Sequence, residues 1–173
     1  MIALPTIKPT KKNLQMLFHE SSVIEGFPDR PDMDAQEMVA WEYLLDACPD
    51  LRDIGHGDIR KVQKIITLRQ DGRDALAPNE RGYYRSVAKV NVTIAGRPGA
   101  HYEAVDAMMG DWIYLLPESE PIAHHVKFEK IHPFVDGNGR TGRQLLWFMQ
   151  LKRGEDLTLI TNENKWEYYE LFR

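Results

Sequence analysis

The chain has 173 residues, 43% of them hydrophobic, 10% aromatic and 28% charged, with a formal net charge of −4. These values describe one soluble globular domain with a real core, and they exclude a globally basic nucleic-acid binder. No apolar run reaches the ~18 residues of a membrane span, no secretory leader is recognisable, and a single cysteine precludes an intrachain disulfide, so a cytoplasmic protein with no membrane partner is expected.

Residues 1–10, with Pro5 and Pro9, read as an extended lead-in. A helix is predicted from Lys11 to Glu25, with Leu14, Leu17, Phe18 and Ser21 at i, i+3, i+4 and i+7. Gly26 suits its C-terminal stop and Pro28 blocks continuation. Glu25 then falls on the apolar face, three turns from Leu14. A carboxylate there loses hydration and opposes the helix dipole, so it either frays into water or meets an arginine inside a site. A second helix over 34–48 aligns Met38, Trp41, Leu45 and Cys48, which makes Cys48 a packing residue. A third runs from Asp58 to Arg69 with Ile59, Val62, Ile65 and Ile66, and Gly72 to Pro78 is a loop.

Val90, Val92 and Ile94 alternate with Asn91 and Thr93, and Gly96, Pro98 and Gly99 supply a turn. A hairpin within 82–102 is the only convincing β-element. One hairpin cannot make a core, so it is expected as a flap over a helical body. Helical spacing resumes at Val105, Met108, Met109, Trp112, Leu115 and Leu116, a core stripe. Helices over 120–131 and from Thr141 to Lys152 follow, with a last one inside Asn162 to Phe172. The expected fold is mostly α, with about six to eight helices and one β-hairpin.

Between two of those helices lies His132-Pro133-Phe134-Val135-Asp136-Gly137-Asn138-Gly139-Arg140-Thr141-Gly142-Arg143. A histidine at a helix end is more often a cap, but its pKa range also suits a general base. Phe134 reads as an anchor for the loop. Asp136 alone is a turn residue; beside a phosphate site, a lone carboxylate is the usual way to hold Mg²⁺. Gly137 and Gly139 let backbone N–H groups turn toward an anion. Arg140 and Arg143 sit at a helix start, where arginine is unfavourable unless an anion is present, and guanidinium suits phosphate. No P-loop sequence occurs and a Rossmann site is not expected. The loop reads as the catalytic loop of a nucleotide-using transferase.

His132 to Arg143 resembles the signature of the Fic (fido-fold) family, H-P-F-x-[DE]-G-N-G-R-x-x-R, at every specified position. Ala123 to Ile131 resembles the helix before that signature, and the hairpin resembles the family's flap. The resemblance implies a single Fic domain over 1–173, with a flap at about 87–102 and the catalytic loop at 132–143. It implies transfer of AMP from ATP to a Ser, Thr or Tyr hydroxyl of a protein. His132 would be the base, and Asp136 would hold Mg²⁺. Gly137, Asn138 (side chain included) and Gly139 would form the anion hole, and Arg140 and Arg143 would bind the β- and γ-phosphates. The target would dock on the flap, and self-modification and self-association are compatible with this reading.

Ser21-Ser22-Val23-Ile24-Glu25-Gly26 resembles the family's inhibitory motif, [ST]-x-x-x-E-[GN]. It implies that the helix over 11–25 restrains the enzyme in cis, Glu25 pairing with Arg143 and Ser21 bonding Glu25 or the nearby loop. A separate antitoxin is correspondingly less expected. Trp166, Tyr168 and Tyr169 resemble the start of an adenine-pocket wall, and the chain stops before that stretch usually finishes, as a minimal or shortened member would. Transfer of another nucleotide or phospho-group, removal of AMP, and a non-catalytic ATP-binding module stand as alternatives.

Overall fold

A computed structural model of the chain describes residues 4–94 and 96–172. Ala95 in the expected flap, and the extreme ends of the expected 1–173 domain, lie outside them. The elements in order are β1 (Thr6–Ile7), α1 (Lys11–Ile24), α2 (Pro31–Ala47), α3 (His56–Ile66), α4 (Arg85–Ala88), β2 (Thr93–Ile94), β3 (Arg97–Pro98), α5 (Val105–Leu115), α6 (Pro121–Ile131), α7 (Asn138–Lys152), β4 (Leu157–Thr158) and α8 (Lys165–Glu170). The fold is mostly α with a small two-stranded flap, as the residue pattern predicts.

Local chemistry sets the helix ends. Thr10 caps α1 by accepting from the Asn13 N–H at 3.3 Å. At its other end Phe27 N–H bonds Ser22 O and Gly26 N–H bonds Val23 O, both at 3.0 Å, with Gly26 at φ +89°. That is a Schellman turn, and it fixes Glu25 as the last residue before the chain reverses. α2 starts at Pro31, earlier than its periodicity shows, because proline at the first helical position gives up no intrahelical bond. α3 ends at Ile66 instead of Arg69, where the Thr67 hydroxyl donates to Gln63 O at 2.8 Å.

α7 is the axis of the molecule. All its residues from Asn138 to Gln150 except Gly139 are buried, with α1, α2, α3 and α6 packed around it. A helix enclosed on every side has no apolar stripe, which is why sequence periodicity exposes only Leu145, Phe148 and Met149 of its core positions. Phe18, Trp41, Trp147 and Phe148 form an aromatic cluster with successive ring centroids 5.9 Å apart. Burial of each such ring is worth about 1.5–3 kcal/mol. Cys48 is buried beside them and its thiol is pushed up to about 11 by burial, with Asp58 and Asp53 adding to it, in keeping with a packing role.

Two β-pairs flank this core. β2 and β3 pair antiparallel, Thr93 opposite Pro98 and Ile94 opposite Arg97. The hairpin is shorter than the alternation implies, because Val90 N–H turns back to Arg85 O at 3.1 Å after α4. β1 and β4 form a second antiparallel pair, Thr6 opposite Thr158, extended by Leu159 N–H to Pro5 O at 2.7 Å. Strands of two residues have no period, so the sequence pattern does not announce this pair. Among the described residues no helix is long and apolar enough to cross a membrane.

Candidate active site

The site is built where α6 ends and α7 begins. His132 is the C-cap of α6, at φ 51° and ψ 64°, a left-handed conformation that costs a non-glycine residue ~1 kcal/mol or more. Its Nδ1 lies 3.3 Å from Glu129 O. A carbonyl can only accept, so Nδ1 carries the hydrogen and Nε2 keeps its lone pair. Burial lowers the imidazole pKa; the Glu129 carbonyl opposes this, the Arg85 charge reinforces it, and Glu25 and Asp136 pull the other way. The net result is a neutral imidazole at pH 7, ready to take a proton.

Phe134 is fully buried, its ring 5.3 Å from that of Tyr84. Asn138 clasps the same residue: Phe134 N–H donates to Oδ1 at 2.8 Å and Nδ2 donates to Phe134 O at 3.0 Å. The Asn138 amide therefore holds the loop in shape, and what this residue presents to an anion is its backbone N–H. Gly137, at φ 80°, is the N-cap, so α7 begins three residues before Thr141. The N–H groups of Asn138, Gly139 and Arg140 form its first turn, where no intrahelical acceptor exists, and they sit at the positive end of the dipole.

Both arginines are buried beneath that turn. Arg140 donates to Gln70 Oε1 at 2.9 Å and to Ile66 O at 3.4 Å, and its guanidinium lies 5.1 Å from the Phe27 ring. Its Nε has no partner, and no carboxylate lies within ion-pair distance among the described residues. Arg143 is ion-paired instead. It donates to Glu25 Oε1 at 2.7 Å, to Ser21 Oγ at 3.0 Å and to Ser21 O at 3.1 Å. Ser21 thus bonds the arginine itself and not Glu25. Burial raises the Glu25 carboxyl, but the charges of Arg143, Arg140 and His132 and the Arg143 hydrogen bond outweigh it and hold the pKa below 4.5. Gly139 is what lets Glu25 in, since a Cβ there would overlap Glu25 Oε1.

Asp136 points outward, Oδ2 accepting from Gln70 Nε2 at 2.6 Å and Oδ1 from Gly137 N–H at 2.6 Å. Each oxygen keeps a lone pair for a cation. The described residues contain no group of three or more His, Cys, Asp or Glu able to hold a metal. A cation here would rest on Asp136 and on oxygens that a ligand brings, a donor set that fits Mg²⁺. Gln70 thus orients Asp136 and Arg140 together, while Gln63 donates to Asp136 O at 3.0 Å and accepts from Gly82 N–H at 2.6 Å. Sequence reasoning missed both glutamines. Gln63 falls on α3 one residue after Val62 of its apolar face, the one signal that could have marked it.

Tyr168 and Tyr169, expected beside an adenine, differ in placement. Tyr168 is enclosed: its hydroxyl donates to His125 Nε2 at 2.8 Å, and the Arg143 guanidinium lies 6.0 Å from its ring. It supports Arg143 from below. Tyr169 is half-buried and keeps part of its ring in solvent. His125 Nδ1 donates in turn to Gly142 O at 3.0 Å, which ties α6, α7 and α8 together. Glu129, 4.0 Å from both His125 and His132, is buried with Oε1 unpartnered, and burial drives its carboxyl up to about 8.

Gly137, Gly139 and Gly142 do stand at G-x-G-x-x-G spacing, but a helix precedes them where a dinucleotide fold has a strand.

Residues 53–150 match the profile of the Fic/DOC family. A protein adenylyltransferase Fic from Nematostella vectensis is 33% identical over 120 residues, 63% of this chain and 27% of its own length. Its counterpart from Drosophila mojavensis is 39% identical over 59 residues, 34% of this chain and 12% of its own. The chain therefore spans about a quarter or less of the curated relatives it matches. Among solved structures, a Fic domain containing signaling protein from Bacteroides thetaiotaomicron superposes with a TM-score of 0.74 at 21% identity, covering 92% of this chain and 70% of that one. Fic-1 from C. elegans gives 0.68 at 22%, covering 93% and 55%. With a helical core, a small flap, a loop that opens α7 with unpaired N–H groups, and a family profile matched over more than half its length, the chain belongs to the Fic/DOC family.

Proposed function

We propose that the chain is an ATP- and Mg²⁺-dependent protein adenylyltransferase, transferring AMP to a Ser, Thr or Tyr hydroxyl of a target protein and held inactive in cis by Glu25. The names of its curated relatives support the class of reaction. One observation carries the rest: the Glu25 carboxylate lies against Gly139 at the start of α7 and accepts from the buried Arg143 at 2.7 Å. It occupies the seat a terminal phosphate would take.

In the open state Nε2 of His132 takes the proton of the incoming hydroxyl as its oxygen attacks the α-phosphorus, and pyrophosphate leaves. The N–H groups of residues 138–140 receive phosphate oxygens at the α7 N-terminus. Arg140, with an unpartnered Nε, and Arg143, freed from Glu25, hold the β- and γ-phosphates. Asp136 would hold Mg²⁺, which would supply charge neutralisation to the triphosphate. The flap at 87–102 receives the target segment by main-chain pairing. The 11–25 helix, the flap and the 132–143 loop act as parts of a single domain.

The test is intact-mass spectrometry of the Glu25→Gly protein with Mg²⁺ and each nucleoside triphosphate. Gain of one AMP on the protein or a co-incubated target, absent or weaker in the parent, is the expected result. His132→Ala should lower transfer by ~10²–10⁴-fold while ATP still protects the fold against heat. A full adduct on His132→Ala, or no AMP adduct under any condition, sinks the reading.

A further inference from the structure

One buried charge enters the site above only through its effect on the His132 imidazole. Arg85, on α4, is 0% exposed, and no carboxylate lies within ion-pair distance of it among the described residues. A bare guanidinium inside a protein is costly unless its donors are filled. Four backbone carbonyls engage all three of its nitrogens. Nε donates to His132 O at 2.8 Å, and one terminal nitrogen donates to Val90 O at 3.0 Å. The other donates to Ile131 O at 3.2 Å and to Ala100 O at 2.5 Å. Arg85 N–H adds a bond to Pro133 O at 2.8 Å.

These acceptors belong to two structures. Ile131 is the last residue of α6 and His132 its C-cap, and their orphan carbonyls sit at the negative end of the helix dipole. Val90 and Ala100 are the two feet of the hairpin, one before β2 and one after β3. Lysine could not substitute: its point charge lacks the planar fork that meets both sets at once.

We propose that Arg85 is a positioning residue that locks the His132 turn and both feet of the flap into one rigid unit, so that a peptide paired to the flap meets Nε2 in fixed register. The left-handed turn at His132 needs such support, being strained without it. Arg85 also faces the imidazole as a positive charge, against Glu129 on α6, Glu25 on α1 and Asp136 in the loop. The role rests on His132 being the base of the proposed transfer. Its readouts do not, since titration and exchange proceed without turnover.

Arg85→Gln and Arg85→Lys are compared with the parent by NMR titration of the His132 ring, assigned through its loss in His132→Ala, and by amide exchange across 90–100. Arg85→Gln should move the His132 midpoint upward and speed flap exchange. Arg85→Lys keeps the charge, so the midpoint stays while the flap loosens. Where transfer is measurable, kcat for both should fall by ~10²-fold, as expected for a displacement of about 1 Å, with KM for ATP unchanged. An unmoved midpoint in folded Arg85→Gln, or flap exchange in Arg85→Lys as slow as in the parent, overturns the proposal. If Arg85→Gln does not fold, the Arg85→Lys exchange decides alone. The expected titration and exchange with no transfer by Glu25→Gly would count against the adenylyl reading and leave Arg85 standing.

Discussion

Replacing Glu25 with glutamine keeps the shape of the α1 terminus and removes one charge. Arg143, 1% exposed, is then left with the Ser21 hydroxyl and carbonyl and a neutral amide, with no carboxylate at ion-pair distance among the described residues. Breaking a buried pair costs ~3–5 kcal/mol. The Glu25 side chain is 33% exposed, so water screens its half, and the cost falls to about 2 kcal/mol. At roughly 2–4 °C per kcal/mol for a domain this size, Tm drops by about 4–8 °C. Thermal unfolding with and without ATP and Mg²⁺ is the assay. On the proposed reading, ATP displaces a carboxylate ion-paired to Arg143 in the parent but only a neutral amide in the variant, so the Tm gain should be larger in Glu25→Gln. The pH dependence has a defined sign. A carboxyl held below 4.5 contributes stability that is fully present above 4.5 and lost as pH falls through the depressed value. The gap between parent and variant should therefore close in acid. Equal Tm values at pH 7, or a gap unchanged in acid, would refute the reasoning.

Glu129→Gln should behave oppositely. With its carboxyl driven up to about 8 by burial, the folded state keeps a proton that the unfolded chain releases near 4.5, so the parent loses stability from pH 4.5 to 8. The variant should gain Tm over the parent across that window, and a difference flat in pH would argue against it. Gly26→Ala places a Cβ at φ +89° and strains the turn after Glu25 by ~1 kcal/mol. Lower Tm with faster basal self-modification is expected; lower Tm with an unchanged basal rate would separate the turn from the restraint. Gln70→Ala removes the amide that orients Asp136 and Arg140, and should raise the Mg²⁺ concentration for half-maximal transfer by about tenfold or more. An unchanged Mg²⁺ requirement would leave Gln70 a packing role only.

The loop was legible because its chemistry is contiguous: a histidine, a carboxylate, glycines and arginines in one run cannot all be explained as a turn. Glu25 is legible in two steps: its place on an apolar face leaves water or an arginine open, and the resemblance to the inhibitory motif implies the arginine. Gln63, Gln70 and Arg85 were not, since each acts on residues far away in sequence and their types are ordinary on helix surfaces. The start of α7 is hidden in the sequence because glycines read as loop, whereas in the fold Gly137 is the cap and Gly139 is part of the first turn. For Tyr168 the family resemblance implies an adenine-pocket wall, whereas its place beneath Arg143 depends on His125 from another helix, which the sequence does not bring near.

α1 has two duties at its two ends. Leu17 and Phe18 are buried in the core, the strand ahead of the helix is paired to β4, and Glu20 accepts from Asn162 N–H at 2.7 Å. Only the final turn, from Ser21 to Phe27, faces the arginines. On the proposed reading, the helix cannot undock to release the enzyme without opening the core, so a signal has only that turn to act on. Loss of the whole helix would take Leu17 and Phe18 out of the core and the fold with them, whereas exchange of the one side chain at Glu25 leaves that packing in place.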